Sequence, residues 1–247
     1  MSRDASPTRV YIPGDIPMHG MRDAPAEQSH HLTHVLRLTR GAPLIVFDGD
    51  GTEYAAVIER IAKSRVTLKL SEGRQVNRES TLAVDLAQGI SSGERMDYTI
   101  QKAVELGVRS IQPLASERSV VRLTAERAEK RVIHWQGVAI AACEQCGRNR
   151  VPQVRPVMAL TQWLADVASD ALRLTLAPDA AKSLRALDSP SAPVVMLVGP
   201  EGGLSARERN AAQVAGFQSV RLGPRILRTE TAAVAALAAM QALWGDF

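Results

Sequence analysis

A chain of 247 residues that is 45% hydrophobic but only 4% aromatic can fill one large core or two modest ones, and must do so with aliphatic side chains. Its formal net charge of +4 is too mild to argue nucleic-acid binding by itself. No apolar run reaches bilayer-spanning length and the opening MSRDASPTR has no apolar signal region, so a cytoplasmic chain without a membrane partner is expected.

The N-terminal part reads as mostly β. Strand-like runs fall at Arg9 to Ile12, Leu44 to Phe47, Glu53 to Ile61 and Val66 to Leu70. Asp48-Gly49-Asp50-Gly51 is a hairpin signal between the second and third. A short helix is predicted over Glu27 to Leu38. Its His30 and His34 have the spacing of a metal pair, but no glutamate completes HExxH and no third ligand is evident, so no metal is expected. Arg37 and Arg40 follow; that helix reads either as substrate-facing or as simply solvated. Short strands at this spacing suggest a small β domain. The polar stretch EGRQVNRES at 72–80 marks a boundary, giving domains 1–74 and 75–247.

Beyond it, strand and helix signals alternate. Leu82 to Leu86 is a strand, Glu94 to Leu106 a helix stopped by Gly107, and Ser110 to Leu114 the next strand. Thr124 caps a long helix running to about Cys146. Cys143 and Cys146 form one CxxC without the second pair a structural zinc needs, so two packed thiols are expected. Arginine makes up 25 of the 30 basic residues, a bias that codon usage explains as well as RNA contact does. Location says more: Arg148, Arg150 and Arg155 share an acid-free stretch. Thr161 caps a helix to about Ala168, and Leu172 to Leu176 is a strand. Such alternation predicts a parallel sheet covered on both faces.

The last stretch carries the chemistry. Val194 to Val198 is a buried strand, followed by Gly199-Pro200-Glu201-Gly202-Gly203. Ser205 and Glu208 form a capping box, and Gly216 ends that helix. Ser219 to Leu222 is a second strand, then Gly223-Pro224, then a segment leading into an alanine-rich helix from Thr231 to Leu243. Ligands in open α/β sheets bind beyond the carboxyl ends of strands, where both glycine loops fall. Neither loop is a GxGxxG or P-loop fingerprint. Two ordinary turns remain the plain alternative, although Arg221, Arg225 and Arg228 lie beside them.

GPEGGLS followed by LGPRILRTETA resembles the cofactor loops of the SPOUT class of RNA methyltransferases. Within it, the chain is similar to the RsmE family, the bacterial 16S ribosomal RNA uridine-N3 methyltransferases. HVLR at 34–37, FDG at 47–49, QKAVELGV at 101–108 and EQCGRNRVP at 144–152 extend the likeness over nearly the whole chain. The resemblance implies a PUA-like RNA-binding β-barrel over 1–74 and a SPOUT α/β domain with a deep trefoil knot over 75–247. It implies S-adenosylmethionine as methyl donor, held by Leu176, Gly199, Glu201, Gly202, Gly203, Leu222, Ile226, Leu227 and Thr231. It also implies a homodimer acting on 16S rRNA in the small ribosomal subunit. Uridine N3 carries a proton that must leave; Glu230 is a candidate base, and Arg228 could stabilise charge on the uracil oxygens. An ion pair between the two is the structural alternative. Arg9, Arg37, Arg148 and Arg150 are candidate RNA contacts. The N3 edge is the pairing edge, so the target must be unpaired or flipped out. A non-catalytic RNA-binding protein is the competing reading. A dinucleotide oxidoreductase lacks its fingerprint.

Overall fold

The computed structural model describes residues 7–14, 16–17, 19–63, 65–120, 123–167 and 170–247. The chain divides into two compact units. One runs to Glu79 and also takes Cys143–Val151; the other comprises Ser80–Ala142 and Pro152–Phe247. A single cut at 74/75 therefore misses both the later boundary and the returning segment.

The first unit is a five-stranded sheet. Its strands are β1 (Thr8–Tyr11), β2 (Gly20–Asp23), β3 (Pro43–Phe47), β4 (Thr52–Ala62) and β5 (Arg65–Gln75), in the order β1-β3-β4-β5-β2. Only β1 and β3 are parallel. The Asp48–Gly51 turn joins β3 to β4 as the glycines predicted. Two register shifts, at Tyr54/Ala56 and Ile58/Arg60, bend the long β4–β5 hairpin. Alternation puts Val46, Ala56, Ile58, Leu68 and Leu70 on the buried face with Val10 and Ile12. The predicted helix is shorter than its pattern: α1 (Ala26–His30) passes into a π-helical turn over His31–Val35, and Arg37 follows with φ +53°. Buried Ser29 ties α1 to β5, its Oγ accepting from the Val66 amide at 3.1 Å.

The returning segment docks on the β3–β4 turn. The Gly51 amide donates to the Asn149 carbonyl, and the Val151 amide to that of Gly49, both at 3.2 Å. Asn149 Nδ2 donates to Glu53 and to the Val76 carbonyl, both at 3.1 Å.

The second unit is a parallel sheet. Its strands are β6 (Val84–Gly89), β7 (Ser110–Ala115), β8 (Gln153–Val154), β9 (Met158–Ala159), β10 (Leu172–Leu176), β11 (Lys182–Ser183), β12 (Val194–Val198) and β13 (Gln218–Arg221). Their order is β11-β13-β10-β12-β6-β7-β8, with β9 beside β7. The helices are α2 (Glu94–Glu105), α3 (Ala125–Cys146), α4 (Leu160–Asp166), α5 (Ala206–Val214) and α6 (Thr229–Trp244); from Cys143 onward α3 belongs to the first unit. Thr161 is not a cap, because α4 starts at Leu160 behind Ala159. Among the described residues no helix is long and apolar enough to cross a membrane.

Every residue of β12 is buried. Val195 and Leu197 pack with Leu160, Trp163, Leu164, Ala212 and Phe217, a cluster from α4, α5 and the turn after α5. Alternation leaves Val194, Met196 and Val198 to the other face, where α6 lies on β6 and β12. Helix α6 buries Ala233, Ala236, Leu237, Met240 and Gln241, an i, i+3, i+4, i+7, i+8 stripe. Each large side chain so buried contributes about 1.5–3 kcal/mol.

Candidate active site

Strands β13, β10 and β12 are adjacent and parallel, so their carboxyl ends, Arg221, Leu176 and Val198, open on one edge of the sheet. A cavity of about 490 Å3 lies there. Its walls come mainly from 175–179, from 198–201 with 203–204, and from 219–223 and 225–230 in the stretch that leads into α6. The volume is that of a pocket for one small organic molecule.

Local chemistry builds each wall. Ser205 Oγ accepts from the Glu208 amide at 3.1 Å, and Glu208 Oε2 accepts from the Ser205 amide at 2.8 Å. This capping box starts α5 where the sequence placed it and fixes the exit of the glycine loop. Gly203 turns that loop with φ +65°, its amide donating to the Pro200 carbonyl at 2.8 Å. Gly202 serves a different purpose from the one expected. It does not line the cavity; a Cβ there would stand 3.0 Å from both Cβ and the carbonyl oxygen of Arg118.

Leu176, Gly199, Glu201, Gly203, Leu222, Ile226 and Leu227 line the cavity, together with Arg228 and Glu230. Thr231 does not, and it is exposed. The threonine at the wall is Thr229, two residues earlier, because α6 begins there. Its Oγ donates to the Gly199 carbonyl at 2.6 Å and accepts from Gln88 Nε2 at 3.0 Å, fastening one cofactor-type loop to the helix that follows the other.

Glu201 is held by the segment that leads into α2. Its Oε1 accepts from the Ser92 amide and hydroxyl, each at 2.8 Å, and from Arg95 Nη1 at 3.0 Å. Burial pushes its pKa up, but the Ser92 and Glu201 amides, the Ser92 hydroxyl and Arg95 outweigh that and hold it below the usual carboxylate range. Glu230 sits in the first turn of α6, where the helix dipole favours a negative charge. The partner for Glu230 is Arg95, Nε to Oε1 3.9 Å, and no ion pair with Arg228 forms. Glu230 Oε2 is buried without a hydrogen-bond partner among the described residues. Arg225 and Arg228 are exposed at the rim. Arg221 donates instead to the carbonyls of Ala180 and Ala181, just beyond the 175–179 wall. Sequence reasoning missed Arg95 and Thr229. The QKAVELGV stretch lies just beyond Arg95, but nothing local says that Arg95 reaches the glycine loop.

In the first unit the candidate RNA contacts separate. Arg9 has a side chain only 10% exposed; it donates to Glu53 at 3.0 Å and to Asn149, and stacks over Phe47 at 5.1 Å. Arg148 is buried, its guanidinium engaged with Glu79. Both side chains are engaged inside the first unit, with little surface left for the expected RNA contact. Arg37 and Arg150 are exposed, and no described carboxylate pairs with either. His30 and His34 stack ring on ring, centroids 4.5 Å apart. Among the described residues no group of three or more His, Cys, Asp or Glu could hold a metal. Burial pushes the Cys143 thiol up to about 12, which keeps it protonated and inert as a packed thiol.

This site and sheet define an RNA methyltransferase domain, whose family model matches residues 78–241, while the model of an RNA methyltransferase PUA domain matches 25–71. A ribosomal RNA small subunit methyltransferase E from Buchnera aphidicola is 33% identical over 97% of this chain and 94% of its own. The chain belongs to the ribosomal RNA small subunit methyltransferase E family. The Bacillus subtilis member is also 33% identical, covering 87% of each chain. A Neisseria gonorrhoeae member solved with bound S-adenosyl methionine is 43% identical, with a TM-score of 0.91 over 98% of this chain and 99% of its own.

Proposed function

We propose that this chain methylates N3 of a uridine in small-subunit ribosomal RNA, with S-adenosylmethionine as donor. The single observation that carries the reading is the cavity at the carboxyl ends of β10, β12 and β13, walled by both glycine loops and containing Glu230 with a buried, unpartnered oxygen. The cavity suits such a donor. Leu176, Leu222 and Leu227 offer apolar walls, the main chain of 199–203 offers hydrogen bonds, and Glu201 offers negative charge to a cationic ligand. When bound, S-adenosylmethionine supplies an electrophilic methyl group on a sulfonium. The protein's share is alignment, exclusion of water and removal of one proton. Glu230 accepts the N3 proton of the uracil, and Arg228 at the rim shares the charge that develops on the uracil oxygens.

In this reading Arg37 and Arg150 supply phosphate contacts from the first unit. Two copies pair through α6, which leaves Leu243 47% exposed. The knot implied by the family likeness belongs to the same reading, as does a cytoplasmic place of work, where the small subunit is. Small subunits lacking the modification, incubated with labelled donor, should take up label, and reverse transcription should stop beside one uridine. Label without a stop would mean that another atom is methylated. No label would leave an RNA-binding protein. A monomeric mass by light scattering at micromolar concentration would remove the dimer.

A further inference from the structure

Arg95 stands where three segments separated in sequence come together. It lies in the first turn of α2; Glu201 is in the loop after β12, and Glu230 is in the first turn of α6. All three line the cavity. The two carboxylates depend on Arg95 to different degrees. Glu201 is already held by the Ser92 amide and hydroxyl, so Arg95 adds a third donor. Glu230 has Arg95 as its ion-pair partner among the described residues, at 3.9 Å through Oε1, while its Oε2 is buried without a donor.

A buried acceptor without a donor is unfavourable, a deficit that an N–H carried in by a substrate removes. The imide N–H of a uracil is such a donor. A guanidinium presents several N–H groups in one rigid plane, and can therefore hold two carboxylates in a fixed relation to each other, which the freely rotating donors of an ammonium do not. It also offsets the repulsion between two negative groups sharing one cavity.

We propose that Arg95 is a positioning residue for the proton-accepting step. It fixes Glu230 by Oε1, so that Oε2 is the oxygen left to meet the substrate N–H, and it keeps Glu230 in register with the donor loop through Glu201. The proton passes from N3 to Oε2 and Arg95 gives up none of its own. The inference rests on the reading of Glu230 as the base.

A double-mutant cycle on the full chain tests it, with kcat from multiple-turnover methylation of small subunits, donor affinity by calorimetry and a melting curve for each protein. Arg95→Gln should lower kcat roughly 10- to 100-fold and change donor affinity no more than about threefold. Arg95→Lys, which keeps the cation without the fork, should recover part of the rate, and it reports on the role if Arg95→Gln does not fold. Glu230→Gln should lose at least as much rate as Arg95→Gln. The double variant should be no slower than Glu230→Gln alone, because Arg95 has nothing left to act through. Additive losses in the double variant would overturn the proposal, as would lost donor affinity with kcat unchanged in Arg95→Gln, which would place its role at Glu201. A wild-type rate in Glu230→Gln would reject the base assignment itself. That outcome is visible in the single variant and takes the proposal with it.

Discussion

At the scale of single residues, the site depends on which of two threonines begins α6. Thr229 Oγ is the point where the Gly199 carbonyl and the Gln88 amide meet. Thr229→Val keeps the shape and removes both bonds, leaving polar groups buried without partners at a cost of about 1–3 kcal/mol. Because the Gly199 loop is then no longer fastened in place for the donor, donor affinity should fall roughly tenfold, about 1.4 kcal/mol of lost pre-organisation. Thr231→Val, on an exposed position, should change it little. Calorimetry on the two variants checks this, and equal affinities would refute the role given to Thr229. The local pattern Arg-Thr-Glu-Thr could not make the choice, because either threonine is an acceptable first-turn residue. The register is set by the stripe from Ala233 to Gln241 packing onto the sheet. Gly202 shows the same limit. A glycine in a loop signals close approach, but only the structure shows that the neighbour is Arg118 and not the cavity.

Among elements, legibility follows how local the cause is. Strand β12, the capping box of α5 and the β3–β4 turn were read correctly, because an apolar run, a Ser-x-x-Glu pair and an Asp-Gly turn each act within a few residues. Strand β2 was not read. Its sequence, GMRD, neither branches nor alternates, and it is a strand because β5 offers it a ladder. The far end of β5, EGRQ, reads as a linker for the same reason; β4 holds it through the backbone. Elements are also tied by charge. Glu53 on β4 is buried and accepts from Arg9 on β1, from Arg74 on β5, and from Arg78 and Asn149. Burial pushes its pKa up, but Arg78, Arg9 and Asn149 reverse this and bring it from the usual 4.5 down to about 2. A carboxylate with a depressed folded pKa stabilises the fold above its unfolded pKa. That stabilisation, about 3 kcal/mol, drains away as pH falls from about 4.5 through about 2. Denaturant unfolding of the wild type should weaken over this window. Glu53→Gln should be less stable at neutral pH and show a flatter acid limb; an unchanged slope would argue against the hub.

For the whole molecule, the exposed and the buried arginines should part company. Arg150→Ala removes one phosphate-capable cation, so the salt slope of RNA binding should fall by about one unit with the melting temperature preserved. Arg148→Ala strips Glu79 of a buried partner and should cost about 3–5 kcal/mol of stability. Loss of stability in both, with no change in slope, would remove Arg150 from the RNA face. The acid-free run holding these residues stands out in the sequence for its charge and as part of EQCGRNRVP. Its membership of the first unit was invisible there, because Cys143–Val151 follows a helix that begins in the other unit.

That returning segment has a consequence for synthesis on the ribosome. The chain emerges from its N-terminus, yet the β3–β4 turn and the Arg9–Glu53 pair lack Asn149 until more than half of the polypeptide has been made. The N-terminal unit is therefore expected to stay incomplete as a nascent domain, with Glu53 short of a donor, until the tip of α3 arrives. A fragment ending at Glu79 should melt well below the full chain, and adding a peptide of residues 143–151 in trans should raise its melting point. A fragment as stable as the full chain would mean that this unit completes itself before the rest is translated.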